Sequence, residues 1–424
     1  MKSRNFVMAA VIAAMLQAIA VGQDVLTVTV LTAQGAAVPR LTTSGFNIGN
    51  SMRVVGFEAD FEAIRIDSLR FPPGNQADEI TVGRPDLAAL SQNLELLGRP
   101  QVLMVANLFG GTPEGAAEFA RLAADMDIQV FAWEIGNEPD LYATNRNDAS
   151  WTPGRYCREF RRYAQALREV DPRFEMAGPA VSGSRPGGEE FLREVLRLCG
   201  DAIDILTWHI YPTDGTWTDD EALATSGHFS RELTRYREWA ADRRANPLGF
   251  GRPLRFGVTE FGLSWRSSSF RHLEDMAATL WLADVLGQMT AERLDLSHYF
   301  TLQGMGGHGL IDTGGWLRST YHLYRMMATF TGESVPVRAR EPLRAYAVAG
   351  ANGLQLLLIN RGATPQRAEL LFEGSPPSGL EITTLSEQNV ESGQAPATTI
   401  SMTEEPVLVP ARAIVLVRET TAAK

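Results

Sequence analysis

The 424-residue sequence predicts an α/β protein, a (β/α)8 TIM barrel with a C-terminal antiparallel β-sandwich. Three observations predict it. Eight short apolar, β-branched runs alternate with amphipathic stretches, which implies parallel strands covered by helices. Polar side chains gather at the C-terminal ends of those runs, where a barrel carries its chemistry. After Gly332 the helical patterns stop, and strand-like runs broken by Gly, Pro and Asn take over.

The barrel strands are expected in "GFNIGN" (45–50), "AIRIDSLRF" (63–71), "PQVLMVANLF" (100–109) and "IQVFAWEIGN" (128–137), then in "FEMAGPAV" (174–181), "IDILTWHIY" (203–211), "LRFGVTEFG" (254–262) and "LDLSHYFTL" (294–302). Between most of them, stretches such as "EGAAEFARLAADM" and "EEFLREVLRLCG" place apolar residues near i, i+3, i+4 and i+7, the period of a helix with one buried face. The first unit has only a short helical pattern, and "RSTYHLYRMMATFTG" supplies the eighth helix. The strand-like "DVLTVTVLTAQG" (24–35) precedes the barrel and is expected to join the sandwich. The resulting division is 23–42 for this strand segment, 43–332 for the catalytic barrel and 333–424 for the sandwich.

Residues 1–22 read as a secretory signal peptide. Lys2 and Arg4 precede an apolar run of 14 residues, Val7 to Ala20, followed by small residues. The run is too short to span a membrane comfortably, so a secreted or periplasmic protein without a membrane span after signal removal is expected. A formal net charge of −11 argues against nucleic acid as a partner, because phosphate binding needs a basic face.

The stretch "FAWEIGNEPDLY" crowds Glu134, Asn137, Glu138 and Asp140 into the end of an apolar run. A buried charge is costly unless paired or used. Glu138 ends the fourth strand and Glu260 the seventh, 122 positions later. Two carboxyl groups facing one barrel mouth can flank a glycosidic bond, one as acid and the other as nucleophile or base. Other strand ends add Arg70, Asn107, His209, Tyr211 and Gln303 as substrate-binding candidates. His209 and Tyr211 share a strand face by their period-two spacing. Glu134 is expected to pair with a cation such as Arg70, and Asp140 to serve a turn or a helix cap. Trp265 is a candidate stacking platform. The glycine-rich "QGMGGHGLIDTGG" (303–315) offers backbone N–H groups and His308 to the substrate.

"IGNEP" and "TEFG" at strand ends three units apart resemble the clan A retaining glycoside hydrolases. "LRFPPGN", "WEIGNEPDLY" and "LTWHIYP" further resemble family 79 of that clan, the β-glucuronidase and heparanase-like group. The resemblance implies that Asn137 contacts the sugar, Glu138 is the acid/base and Glu260 the nucleophile, with Tyr211 hydrogen-bonded to Glu260 and Arg70 beside it. The implied partner is a glycoside, oligosaccharide or polysaccharide. The helix "YHLYRMMATFTG" is equally similar to the arabinofuranosidases and xylosidases of the clan, which form the alternative. A second alternative is a non-catalytic carbohydrate-binding protein on the same scaffold.

No cofactor and no metal site is expected. His308 and Asp312 are too few to argue for a metal, and "GMGGHG" lacks the lysine and strand–glycine–helix context of a nucleotide loop. An esterase or metal hydrolase would need an assembled set of groups that the sequence does not offer. Cys157 is expected near the start of the helix after strand four, and Cys199 in the last turn of the helix after strand five. Two parallel helices starting level would hold them near opposite ends, so two free buried thiols are expected.

Overall fold

A computed structural model describes residues 25–420 apart from 50, 51, 53, 184–186, 268, 270, 274, 305, 306, 374–376, 378, 389–395 and 402–404. Residues 1–22, expected to be a signal peptide, lie outside the described residues. Eight parallel strands close into a barrel: β1 (Gly45–Asn47), β2 (Ser68–Phe71), β3 (Gln101–Ala106), β4 (Val130–Ile135), β5 (Glu175–Val181), β6 (Ile205–Ile210), β7 (Arg255–Phe261) and β8 (Leu296–Tyr299). Each falls inside the run that predicted it. Closure is made by the β8–β1 pairing, with Tyr299 opposite Phe46. Residues such as Leu103, Ala132, Ala177, Ile205 and Leu296 fill the barrel below the mouth.

The outer helices are α1 (Glu58–Glu62), α2 (Arg84–Leu96), α3 (Pro113–Asp125), α4 (Pro153–Val170), α5 (Gly188–Cys199), α6 (His228–Ala241), α7 (Met276–Ala291) and α8 (Ser319–Met326). The starts of α3 and α4 illustrate the local causes. Thr112 and Thr152 accept the backbone N–H of Gly115 and Arg155, and a proline with preset φ opens each helix. α1 is only five residues long, in keeping with its weak pattern. α7 is buried on nearly every side because the barrel covers one face and the sandwich the other.

The sandwich has a seven-stranded sheet and a four-stranded sheet. Val25–Val30 belongs to the smaller sheet, parallel to Gln366–Phe372. "VLVPARAIVLVRE" forms two strands, Val407–Val409 and Ala413–Glu419, because the turn at Pro410–Arg412 passes the chain from one sheet to the other. A buried polar knot ties sandwich to barrel. Asp284 of α7 accepts hydrogen bonds from Ser226 (2.6 Å), Tyr346 (2.5 Å) and Arg361 (3.4 Å). Among the described residues no helix is long and apolar enough to cross a membrane.

The cysteines depart from expectation. Cys157 and Cys199 form a disulfide, with Cα atoms 5.7 Å apart. The reason is that α4 and α5 do not start level. Arg161, in the third turn of α4, donates to the Leu198 carbonyl and pairs with Asp201 at 2.6 Å. The last turn of α5 therefore lies beside the first turns of α4, an axial stagger that cancels the length of α5.

Candidate active site

Strand register sets the floor of the mouth. Asn47 of β1 lies opposite Arg70 of β2, and His209 of β6 opposite Glu260 of β7. Neighbouring strands are about 4.8 Å apart, so each pair is within side-chain reach.

Arg70 is fully buried and uses its whole guanidinium fork. Nε donates to Glu134 (2.6 Å), Nη1 to Glu260 Oε1 (2.6 Å) and Asn47 (3.0 Å), and Nη2 to Asn137 Oδ1 (2.9 Å). Burial opposes its charge, but Glu134 and Glu260 outweigh burial and its pKa is raised. Glu134 is thus the inner carboxylate of the guanidinium, completed by a hydrogen bond from Thr259 (2.8 Å). Two anions share one buried cation, an arrangement that needs every lone pair satisfied.

The second oxygen of Glu260 accepts from the Tyr211 hydroxyl at 3.1 Å. Burial and the adjacent Glu260 push the Tyr211 pKa well above the usual phenol range, so it remains a donor. His209 Nδ1 lies 3.0 Å from Glu138 Oε1 and 3.9 Å from Glu260 Oε2. The sum of those contacts limits the two carboxyl oxygens to a separation of 6.9 Å at most. Burial lowers the His209 pKa, against the pull of Glu260, which keeps the imidazole neutral.

Glu138 is held in the left-handed region, φ 51° and ψ 53°, after Gly136 at φ 82°. That conformation is uncommon for a residue with a Cβ and marks a position fixed by its surroundings. Its N–H donates to the Ala180 carbonyl of β5 (3.0 Å). Asp140 reinforces the same crossing. Instead of capping its own turn, it accepts from the Ser182 N–H (3.1 Å) and hydroxyl (2.6 Å). Burial pushes the Asp140 pKa up to about 6, with Glu138 adding to the effect.

Glu138, Glu260, Asn137, Tyr211, Trp265 and His308 line a cleft of about 540 Å3 at the C-terminal ends of the strands, and His209 lines the space contiguous with it. Arg70 lies just beneath. His308 packs on Phe300 (5.3 Å) and Tyr211 (6.3 Å). Its Nε2 lies 3.2 Å from the Trp265 carbonyl, which can only accept. Burial lowers its pKa to about 4, so the ring is neutral with Nδ1 as an acceptor. Asn107 is not brought into this cleft. Its amide donates to the Ile80 carbonyl (3.0 Å) and accepts from Gly110 N–H (2.8 Å), tying its own loop to the one after β2. Gln303 makes a backbone bridge to Ile311 at the base of the glycine-rich loop and is not among the described lining residues. Asp312 holds the N–H groups of Gly314 and Trp316. Among the described residues no group of three or more His, Cys, Asp or Glu side chains could hold a metal ion.

Sequence reasoning missed two residues of this centre. Asn47 ends β1 and was open to the same strand-end argument as Arg70. Asp78, in the short helix Gln76–Glu79, carried no such signal. It is buried and gathers the N–H groups of Leu108 (2.9 Å), Phe109 (3.3 Å) and Asn137 (3.1 Å) and the Tyr142 hydroxyl, which fixes the backbone next to Glu138.

No family model matches the chain, and no curated protein matches it. Solved structures do. The GH51 arabinofuranosidase from Xanthomonas axonopodis pv. citri superposes with a TM-score of 0.75 at 18% identity, over 93% of this chain and 100% of that one. An alpha-L-arabinofuranosidase from Thermotoga maritima gives 0.74 at 17% identity, over 92% and 99%. A monomeric beta-xylosidase from Caulobacter crescentus CB15 gives 0.67 at 16% identity, over 93% and 100%. At these identities the likeness is one of fold, the closed eight-stranded barrel followed by a β-sandwich. None of the three structures is a family 79 enzyme by its description.

Proposed function

We propose that this protein is an exported retaining glycoside hydrolase that cleaves neutral pentosides, arabinofuranosides or xylosides, by double displacement. The convergence of Glu138 and Glu260 on His209, with their oxygens at most 6.9 Å apart, carries the reading. Retaining pairs stand about 5–5.5 Å apart and inverting pairs about 6.5–9.5 Å, and the shared contact with one imidazole favours the closer arrangement.

The geometry divides the labour. Arg70 and Tyr211 hold one oxygen each of Glu260, which orients the carboxylate as the nucleophile. Glu138 gives its Oε1 to His209 and keeps Oε2 for the transferable proton. In the first step that proton passes to the glycosidic oxygen while Glu260 forms a bond to the anomeric carbon and the leaving alcohol departs. In the second, Glu138 takes a proton from water, which attacks the same carbon and releases Glu260. Asn137, oriented by Arg70 and Asp78, is placed to hydrogen-bond the sugar. No step needs a cofactor.

The choice of a neutral sugar over the uronic acid implied by the family 79 resemblance rests on charge. Among the described residues lining the cleft, Arg146 is the one guanidinium, and it is paired with Glu79 at 2.5 Å. His308 is neutral, and the Glu260 carboxylate would repel a substrate carboxylate nearby. The fold relatives described as arabinofuranosidases and a xylosidase support the same choice. The Cys157–Cys199 bridge supports export, because disulfides persist in oxidising compartments. The test is a panel of 4-nitrophenyl glycosides. Hydrolysis of the α-L-arabinofuranoside or β-D-xylopyranoside with retention, followed by NMR, is expected. Preference for the β-D-glucuronide would overturn the neutral-sugar reading, and inversion would overturn the mechanism.

A further inference from the structure

The central cleft does not end at the carboxyl pair. It continues past Ser182, Tyr211 and Trp265 into a side chamber of about 340 Å3, which those three residues border in common with the cleft. The chamber is built from the loop after β6 and the loop after β7. Trp217 and Trp265 stand in its wall with 41% and 39% of their surfaces exposed. The Arg266 guanidinium covers the Trp265 ring at 4.3 Å, whereas the exposed Trp217 indole is unusual at a concave surface, because aromatic area is ordinarily buried unless a partner covers it.

The two loops are laced together. Thr213 N–H and hydroxyl both donate to the Leu263 carbonyl (3.1 and 2.8 Å), and Trp265 N–H donates to the Thr213 carbonyl (3.2 Å). Gly215 has φ 82°, and a Cβ there would meet Ser267 Cβ and Oγ at 2.8 Å. Asp214 accepts the N–H and hydroxyl of Thr216 (3.1 and 2.6 Å) and so fixes the turn that leads to Trp217. The chamber is therefore shaped before any ligand arrives. Its polar lining is mixed. Asp214 is held ionised by the Thr216 hydrogen bonds, and burial keeps His228 neutral. Hydroxyl groups suit such a lining, since they donate to a carboxylate and exchange hydrogen bonds with a neutral imidazole.

We infer that this chamber is a second sugar subsite, in which Trp217 stacks on a saccharide unit linked to the one held at Glu138 and Glu260, so that the substrate is an oligosaccharide or polysaccharide of neutral sugars. The inference rests on the glycoside hydrolase reading for its chemistry. A pyranose or furanose ring has an apolar C–H face and a hydroxyl rim, which match an indole wall and a polar lining. The space is contiguous with the reacting centre, so one covalently linked chain fills both.

Two arms test it. In the first, kcat/KM is measured on 4-nitrophenyl α-L-arabinofuranoside and β-D-xylopyranoside, which carry one sugar, and on arabinotriose, xylotriose and cellotriose. Trp217→Ala is expected to lower the ratio of trisaccharide to aryl-glycoside kcat/KM at least about tenfold, and Trp217→Phe to restore most of it. A ratio within about twofold of the natural protein in Trp217→Ala overturns the inference. In the second arm, calorimetry on Glu260→Gln measures binding of the same trisaccharides against free arabinose and xylose. Tighter binding of a trisaccharide, lost when Trp217→Ala is added, is expected; equal affinities for mono- and trisaccharides overturn the subsite. Absence of hydrolysis in the first arm would count against the enzymatic reading, while the second arm still decides the subsite.

Discussion

Arg70 Nη1 and Glu260 Oε1 meet at 2.6 Å in the floor of the barrel mouth, with the guanidinium wholly shut off from solvent. The same guanidinium reaches Glu134 and Asn137, so the proposed nucleophile and the proposed sugar-contacting amide are oriented by one side chain. Removing that side chain leaves two carboxylates uncompensated in the interior. Arg70→Met is expected to destabilise the fold by about 3–5 kcal/mol, the usual cost of breaking a buried pair from one side. Denaturant unfolding measures this. A loss below about 1 kcal/mol would mean that Glu134 or Glu260 takes up a proton or another partner instead.

The carboxyl pair is expected to separate by role. Glu260→Gln abolishes turnover of every glycoside, because an amide cannot form the glycosyl intermediate. Glu138→Ala slows cleavage by about 100- to 10,000-fold where the leaving group needs a proton, and much less for 2,4-dinitrophenyl glycosides, which leave unaided. Equal losses on good and poor leaving groups would remove Glu138 from the acid role.

Asp140 links pH to stability. Its folded pKa of about 6 lies above the ordinary carboxylate value, so the unfolded chain releases this proton first as pH rises. The contribution is fully present below about pH 4 and is lost as pH passes through 6. Asp140→Asn keeps an acceptor for Ser182 but has no charge to bury. Its stability relative to the natural protein is expected to rise by up to about 3 kcal/mol between pH 4 and pH 8. Urea unfolding at several pH values reads this directly, and a pH-independent difference would refute it.

The disulfide closes a chain separation of 42 residues. Chain-entropy reasoning assigns such a closure about 4 kcal/mol through the unfolded state. The Cys157→Ser/Cys199→Ser double variant is expected to lose up to about that much stability while keeping the barrel, since α4 and α5 also share the Arg161–Asp201 pair. Alkylation in denaturant without reductant should add no label to the natural protein. Two adducts would mean that the thiols are free.

Local pattern alone made the eight strands legible, because the apolar period and the turn residues at strand ends act over a few positions. It also placed Glu138, Glu260, His209, Tyr211 and Arg70 at the mouth, since a residue at the C-terminal end of a barrel strand has little choice of direction. Asn107 obeys the same strand-end rule, yet its amide joins its own loop to the one after β2, because side-chain direction past the last ladder bond depends on neighbours from other units. Asp78 was invisible for a related reason: its four donors come from two separate segments of chain, after β3 and after β4, and only the closed barrel brings them to one carboxylate.

The sequence by itself determined the architecture and the chemical character of the mouth, both of which follow from short-range periodicity. Tertiary structure alone decided the sharing of Arg70 between Glu134 and Glu260, the chamber behind Tyr211 and the Cys157–Cys199 bridge. These depend on strand register and on the axial offset between α4 and α5. Such offsets are set by packing between units far apart in the chain, and no local pattern encodes them.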